Sequence, residues 1–173
     1  MPDIFRAGPL LELAMVDVAI LDPVIAWVKS VPLEDWPQQS NLHLKPAMVN
    51  TLSWNGFGAQ TDALVASLMK LFPGSTDFQR MLSVVMPAER IPAHTDRQIP
   101  NWLCRVHVPL VATSGALFQI DDGDDDDSGL ASWSLRVGMA YIVDVTATHA
   151  VENHGLVPRI HFMFDVTKPT AAR

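Results

Sequence analysis

The segment Met139-Ala140-Tyr141-Ile142-Val143-Asp144-Val145-Thr146-Ala147-Thr148-His149-Ala150-Val151-Glu152-Asn153 is followed, five residues later, by Arg159-Ile160-His161-Phe162-Met163-Phe164-Asp165-Val166. These are short runs of β-branched, aromatic and aliphatic residues, parted by a few turn residues. The runs are too short and too closely spaced to be helices, so they read as strands, Met139 to Val145, His149 to Asn153 and Arg159 to Val166. The same signal extends back along the chain over Met81 to Met86, Leu103 to Ala112, Ala116 to Asp122 and Ala131 to Arg136. Earlier strands are expected over Leu10 to Ala14 and Leu42 to Trp54. Two helices fall in the first half. Asp22-Pro23 offers a capping acid and a first-turn proline for a helix ending near Ser30. Thr61-Asp62 opens the second, in which Leu64, Val65, Leu68, Met69 and Leu71 recur at helical spacing until Pro73-Gly74. Strands without βαβ alternation, and helices gathered at the front, predict a mainly β fold, a double-sheet jelly roll with a few N-terminal helices packed outside one sheet. The chain reads as a single domain over 1–173, with a variable helix and strand portion at 1–62 and the jelly-roll core at 63–167.

Composition agrees with such a domain. Of 173 residues, 49% are hydrophobic and 18% charged, enough to bury a core without staples. The single cysteine, Cys104, excludes a disulfide framework and a zinc CxxC pattern. The net charge of -7 is concentrated: six of the 19 acids lie between Asp121 and Asp127, leaving 13 acids against 12 bases elsewhere. No basic stripe interleaved with aromatics is present, which argues against extended nucleic-acid binding. The Asp-rich run lacks the closing Glu and following helix of a calcium loop and reads as a solvated hairpin tip. Glu12, Asp17 and Asp22 interrupt the apolar N-terminus, so neither a signal peptide nor a membrane span is expected. A cytoplasmic protein acting on a small molecule, as a monomer or homodimer, is the expectation.

Three residues suggest chemistry. His94 and Asp96, separated by one residue, point the same way in extended chain, their backbones about 7 Å apart. His149 can join them if its strand lies beside theirs. Two imidazoles and one carboxylate with open positions opposite form the facial triad of non-haem iron(II) oxygenases. His-x-Asp alone equally describes a strand-end histidine beside a solvated turn aspartate. Arg159 adds to the pattern. A guanidinium on an otherwise apolar strand needs an anion if buried, and either a dicarboxylate cosubstrate or a nearby acid such as Asp144 or Glu152 would serve.

The order His94-Thr95-Asp96, Arg105-Val106-His107-Val108-Pro109-Leu110, Val137-Gly138-Met139-Ala140-Tyr141-Ile142-Val143-Asp144, His149-Ala150-Val151-Glu152-Asn153, and Pro158-Arg159-Ile160-His161-Phe162-Met163-Phe164-Asp165 resembles the aspartyl/asparaginyl β-hydroxylase family over roughly residues 64–167. These are cupin-like, double-stranded β-helix oxygenases that also include hydroxylases of free proline. The resemblance implies Fe(II), with 2-oxoglutarate and O2 as cosubstrates, and hydroxylation of an unactivated C–H bond of an amino acid or of an aspartyl, asparaginyl or prolyl residue. It assigns the metal to His94, Asp96 and His149, and the distal carboxylate of 2-oxoglutarate to Arg159 and Ser83. Arg105 and His107 match the family's Arg-x-His, which approaches the chelating end of the cosubstrate. His161, on the face of Arg159, reads as a hydrogen-bonding support or as core. Some animal members carry glycine where this chain has Asp96, so the triad here is complete.

Substrate contacts are expected from Trp54, Asn55 and Phe57 beside the hinge glycines Gly56 and Gly58, and from Arg97, Asn101, Trp102 and Asn153, with loop packing as the competing role. A cupin-like metal-binding domain with non-oxygenase activity or small-molecule sensing is the rival function, and it has no use for Arg159 as a dicarboxylate anchor.

Overall fold

The computed structural model describes residues 3–5, 7–32, 50–53, 58–96, 100–121, 123 and 129–168. After a 3-10 turn at Asp3–Phe5 come β1 (Leu10–Met15), α1 (Val18–Ser30), β2 (Asn50–Ser53), α2 (Gly58–Met69), β3 (Thr76–Val85) and β4 (Arg90–His94). The chain continues through β5 (Trp102–Val111), β6 (Ala116–Ile120), β7 (Ala131–Ser134), β8 (Met139–Val143), β9 (His149–Asn153) and β10 (Arg159–Thr167). Among the described residues the strands form a six-stranded sheet, β1-β8-β5-β10-β3-β2, and a four-stranded sheet, β4-β9-β6-β7. The described pairings are antiparallel. This is the mainly β, jelly-roll architecture expected from the strand runs, with both described α-helices on the outer side of the larger sheet.

Alternation along the larger sheet separates two cores. Leu82, Val84, Val106, Val108, Ile142, Phe162 and Phe164 point outward and pack with Leu21, Val24 and Val28 of α1 and Leu64, Val65 and Leu68 of α2. The inward face contributes Val85, Met139, Tyr141 and Val143, which meet Ile91, Phe118, Ile120 and Val151 of the smaller sheet. Cys104 lies in the outer core, where burial pushes its thiol up to about 12, so it is an inert packing residue. Gly138 carries φ 79 in the turn before β8, a backbone conformation that favours glycine, and a Cβ there would also push aside the tip of Leu21, whose Cδ2 would lie 2.7 Å away.

Some boundaries differ from expectation. α1 begins at Val18, not near Pro23: Asp17 is its cap, accepting from the amide of Ala19 at 2.8 Å, and Pro23 sits inside the helix. The capping aspartate at Asp17 outcompetes Asp22-Pro23, whose proline costs one backbone bond inside the helix. α2 begins at Gly58, three residues before Thr61. β3 starts at Thr76, its outer half exposed and hence lacking the apolar signature. Of the strand expected over Leu42 to Trp54, the described residues contain β2, and the rest lies outside them. The acidic stretch falls between β6 and β7, which pair as a hairpin.

Candidate metal centre and cosubstrate pocket

The first ligand strand depends on an irregularity. In the β4–β9 ladder Ile91 faces Val151 and His94 faces His149, so three residues of β4 span two of β9. Strict alternation would place Ile91 and His94 on opposite faces. The bulge, which contains Pro92, turns both inward and tolerates a proline that could not serve a regular ladder. His94 and His149 rings lie 4.3 Å apart. Just past β4, the amide of Asp96 donates to Val145 O at 2.8 Å, bringing the carboxylate under the imidazoles, with Oδ1 3.7 Å from His94 Nε2. One ligand atom from each of His94, Asp96 and His149 lies within 4.8 Å of the others.

Both imidazoles are oriented alike. His94 Nδ1 contacts Pro92 O at 2.7 Å and His149 Nδ1 contacts Ala147 O at 3.0 Å. A carbonyl only accepts, so each Nδ1 carries the proton and each Nε2 presents a lone pair to the shared space. Burial holds His149 below its ordinary value, keeping it the neutral ligand a metal needs. The donor set therefore fits a divalent metal with several open positions, the coordination that iron(II) oxygenases use.

On the opposite wall, the inner face of β10 presents Arg159, His161, Met163 and Asp165 in alternation, flanked by Ser83 and Val85 of β3 and by Arg105, His107 and Pro109 of β5. Arg159 is 2% exposed, and its Nη2 donates to His161 Nδ1 at 2.8 Å. Its Nη1 is buried without a partner, and among the described residues no carboxylate pairs with it. Neither Asp144, which accepts from Thr146, nor Glu152, which pairs with His154, supplies the anion. Burial alone pulls Arg159 down to about 9. His107 is likewise buried, with both ring nitrogens unpartnered, its ring edge-on to Phe118. Burial, then the neighbouring Arg105 and Arg159, hold His107 well below its ordinary value; burial, then Arg159 and His107, do the same for His161. A buried cation and an imidazole with orphaned polar atoms call for an anionic, hydrogen-bonding guest, and a dicarboxylate meets both demands. Ser83, buried and opposite His161 in the ladder, lies beside this position.

Arg105 has different partners from those expected. Its Nε and Nη2 donate to Asp165 at 2.9 and 3.0 Å, and its Nη1 donates to Asp96 Oδ2. Burial opposes its charge, but the bonds to Asp165 and Asp96 outweigh it and raise its pKa. Trp102 and Asn153, both expected as substrate contacts, are buried. Trp102 donates from Nε1 to Asp165 at 3.1 Å and stacks on Phe5. Asn153, 1% exposed, donates to Val85 O and Val157 O and accepts from the amide of Gly155, which uses both ends of its amide on backbone. Asn101 sits at φ 60 in the turn before β5, its carbonyl accepting from Lys168. Trp54, Asn55, Phe57 and Arg97 lie outside the described residues. Asp165 was missed. Its signal was its parity with Arg159 on an apolar strand, which placed a carboxylate on the pocket face.

The aspartyl/asparaginyl β-hydroxylase family model matches residues 51–169. A search of curated proteins finds no match. Among solved structures, AviO1 from Streptomyces viridochromogenes Tue57 is 15% identical, with a TM-score of 0.66 over 98% of this chain and 94% of that one. A Pseudomonas putida prolyl-4-hydroxylase is 12% identical, with a TM-score of 0.69 over 97% of each chain. HygX from Streptomyces hygroscopicus, solved with nickel, 2-oxoglutarate and hygromycin B, is 11% identical, with a TM-score of 0.66 over 95% of this chain and 85% of that one. At such identities the likeness is one of fold. The family match, by contrast, spans most of the chain, including the triad and both pocket walls, and on it the chain belongs to the aspartyl/asparaginyl β-hydroxylase family of iron(II)- and 2-oxoglutarate-dependent oxygenases.

Proposed function

We propose that this protein hydroxylates an unactivated C–H bond of a small substrate, an amino acid or an aspartyl, asparaginyl or prolyl residue, with iron(II) at His94, Asp96 and His149 and 2-oxoglutarate anchored by Arg159. The observation that carries the reading is the buried, acid-free guanidinium of Arg159 facing the same inter-sheet space as the triad. Bound iron and 2-oxoglutarate supply the oxidising power, through oxidative decarboxylation of the cosubstrate coupled to reduction of O2.

The chain's own residues bind and orient. Arg159, held by His161, offers Nη1 to the distal carboxylate, with the Ser83 hydroxyl beside it. His107 offers hydrogen bonds within the pocket as a neutral imidazole. Phe118, Ile120, Val143 and Val151 line the inner core and exclude water. Two fold relatives are in keeping with a small substrate, one being a prolyl hydroxylase and the other holding hygromycin B.

Anaerobic addition of iron(II) and 2-oxoglutarate is expected to give the weak visible charge-transfer band of the chelate. Succinate release across free amino acids and short peptides then identifies the substrate class. The R159M variant is expected to bind metal but lose the band. Absence of both band and succinate in the wild type would favour a non-oxygenase cupin.

A further inference from the structure

A buried chain of polar groups stands behind one of the three proposed ligands. Asp165 is 1% exposed and faces Arg105 directly in the β5–β10 ladder. Its two oxygens accept from Arg105 Nε and Nη2 at 2.9 and 3.0 Å, and Oδ1 also accepts from Trp102 Nε1 at 3.1 Å. Two parallel bonds to one carboxylate fix the plane of a guanidinium, and the indole fixes the carboxylate. The fork so held turns Nη1 onto Asp96 Oδ2, while Oδ1 remains on the side of His94 Nε2.

We propose that Asp165 and Arg105 are positioning residues that make Asp96 a one-oxygen ligand, with Oδ1 toward the metal and Oδ2 held back. The proposal rests on the reading of His94, Asp96 and His149 as the metal site. A carboxylate chelating through both oxygens would occupy one more coordination position. Three protein donors leave three of six, which a bidentate cosubstrate and O2 require together. Asp165 also balances the charge of Arg105. Without it the guanidinium would pair wholly with Asp96 and compete with the metal for it. Partners of this kind typically alter metal affinity 10- to 100-fold.

The test uses Co(II) alone, titrated into the metal-free full chain and followed by visible absorption and calorimetry. The D165N and R105K variants keep the size or the charge of the side chain they replace, and metal-free melting reports their folding. D165N is expected to bind Co(II) about 10- to 100-fold more weakly. R105K, with a single-point donor, is expected to change the d–d band intensities as Asp96 gains a second bond to the metal. Wild-type affinity and spectra in both variants would overturn the proposal, as would losses that follow only a lowered metal-free Tm. Binding abolished by H94A yet untouched by D165N would overturn positioning alone. A wild type that binds no Co(II) would overturn the metal-site reading and the proposal with it.

Discussion

Arg159 is the residue whose environment most departs from what its chemistry prefers. Its folded value, about 9, lies below the ordinary 12.5, so the buried charge opposes folding at every pH below about 9, and the penalty fades only as pH rises through that value. Replacing a buried ion pair by apolar groups of similar volume is often neutral or gains up to about 4 kcal/mol, and a guanidinium without a counter-charge has no ionic attraction to lose, so a gain of about 1–4 kcal/mol is expected here, at roughly 2–4 °C per kcal/mol for a chain of this size. R159M is therefore expected to melt several degrees above the wild type without ligands, and to lose the rise in Tm that 2-oxoglutarate with metal gives the wild type. Differential scanning fluorimetry reads both, and a lower Tm in R159M would contradict the assignment. His107 and His161 follow the sign of a depressed base. Both are held well below 6.5 when folded, so the unfolded chain binds protons that the native one does not. Stability is then present above 6.5 and lost as pH falls below it, by about 1.4 kcal/mol per pH unit for each histidine. Urea midpoints between pH 7 and 5 check this, and H107F is expected to remove about one proton from the slope.

The bulge in β4 decides the site at the scale of the element. His94-Thr95-Asp96 was legible as a pair of like-facing side chains, but nothing in the residue pattern announced that β4 carries an extra residue between Ile91 and His94. Pro92 hinted at an irregular strand and no more. A bulge is a product of two strands, and one strand's sequence records only half of it. Removing Ala93 takes out the extra residue and leaves Ile91 and His94 two apart, so plain alternation then keeps both inward. The deletion is expected to retain Co(II) binding with far-UV circular dichroism near that of the wild type; lost binding in a folded variant would contradict the bulge's role as a device that only sets the face of His94. Similar reasoning explains α1. Pro23 was a plausible first-turn residue, and the Asp17 cap together with the packing of Leu21 in the outer core fixes the start four residues upstream of Asp22.

Across the whole molecule, the two sheets divide the work. The proposed ligands belong to β4, the segment just after it and β9, while the residues proposed to face 2-oxoglutarate belong to β3, β5 and β10. Metal alone is expected to raise amide protection in β4 and β9, and 2-oxoglutarate added to metal to extend it into β10 and β3. Hydrogen-exchange mass spectrometry reads this directly, and unchanged β10 protection on adding the cosubstrate would contradict the assignment of Arg159. The strand runs made the sheet content legible, and the ordered motifs made the triad and Arg159 legible. The bonds of Arg105 to Asp165 and of Asn153 to Val85 were not, because each joins groups 60 or more residues apart in sequence. Among the described residues no helix is long and apolar enough to cross a membrane.

The outer core, where α1 and α2 clasp the larger sheet, lies on the opposite side of that sheet from the pocket. Stability and specificity are thereby assigned to different faces of the same strands. Mutations on the inward face can accumulate and redirect the substrate while the clasp keeps the chain folded, which makes the scaffold tolerant of evolutionary drift in what it oxidises.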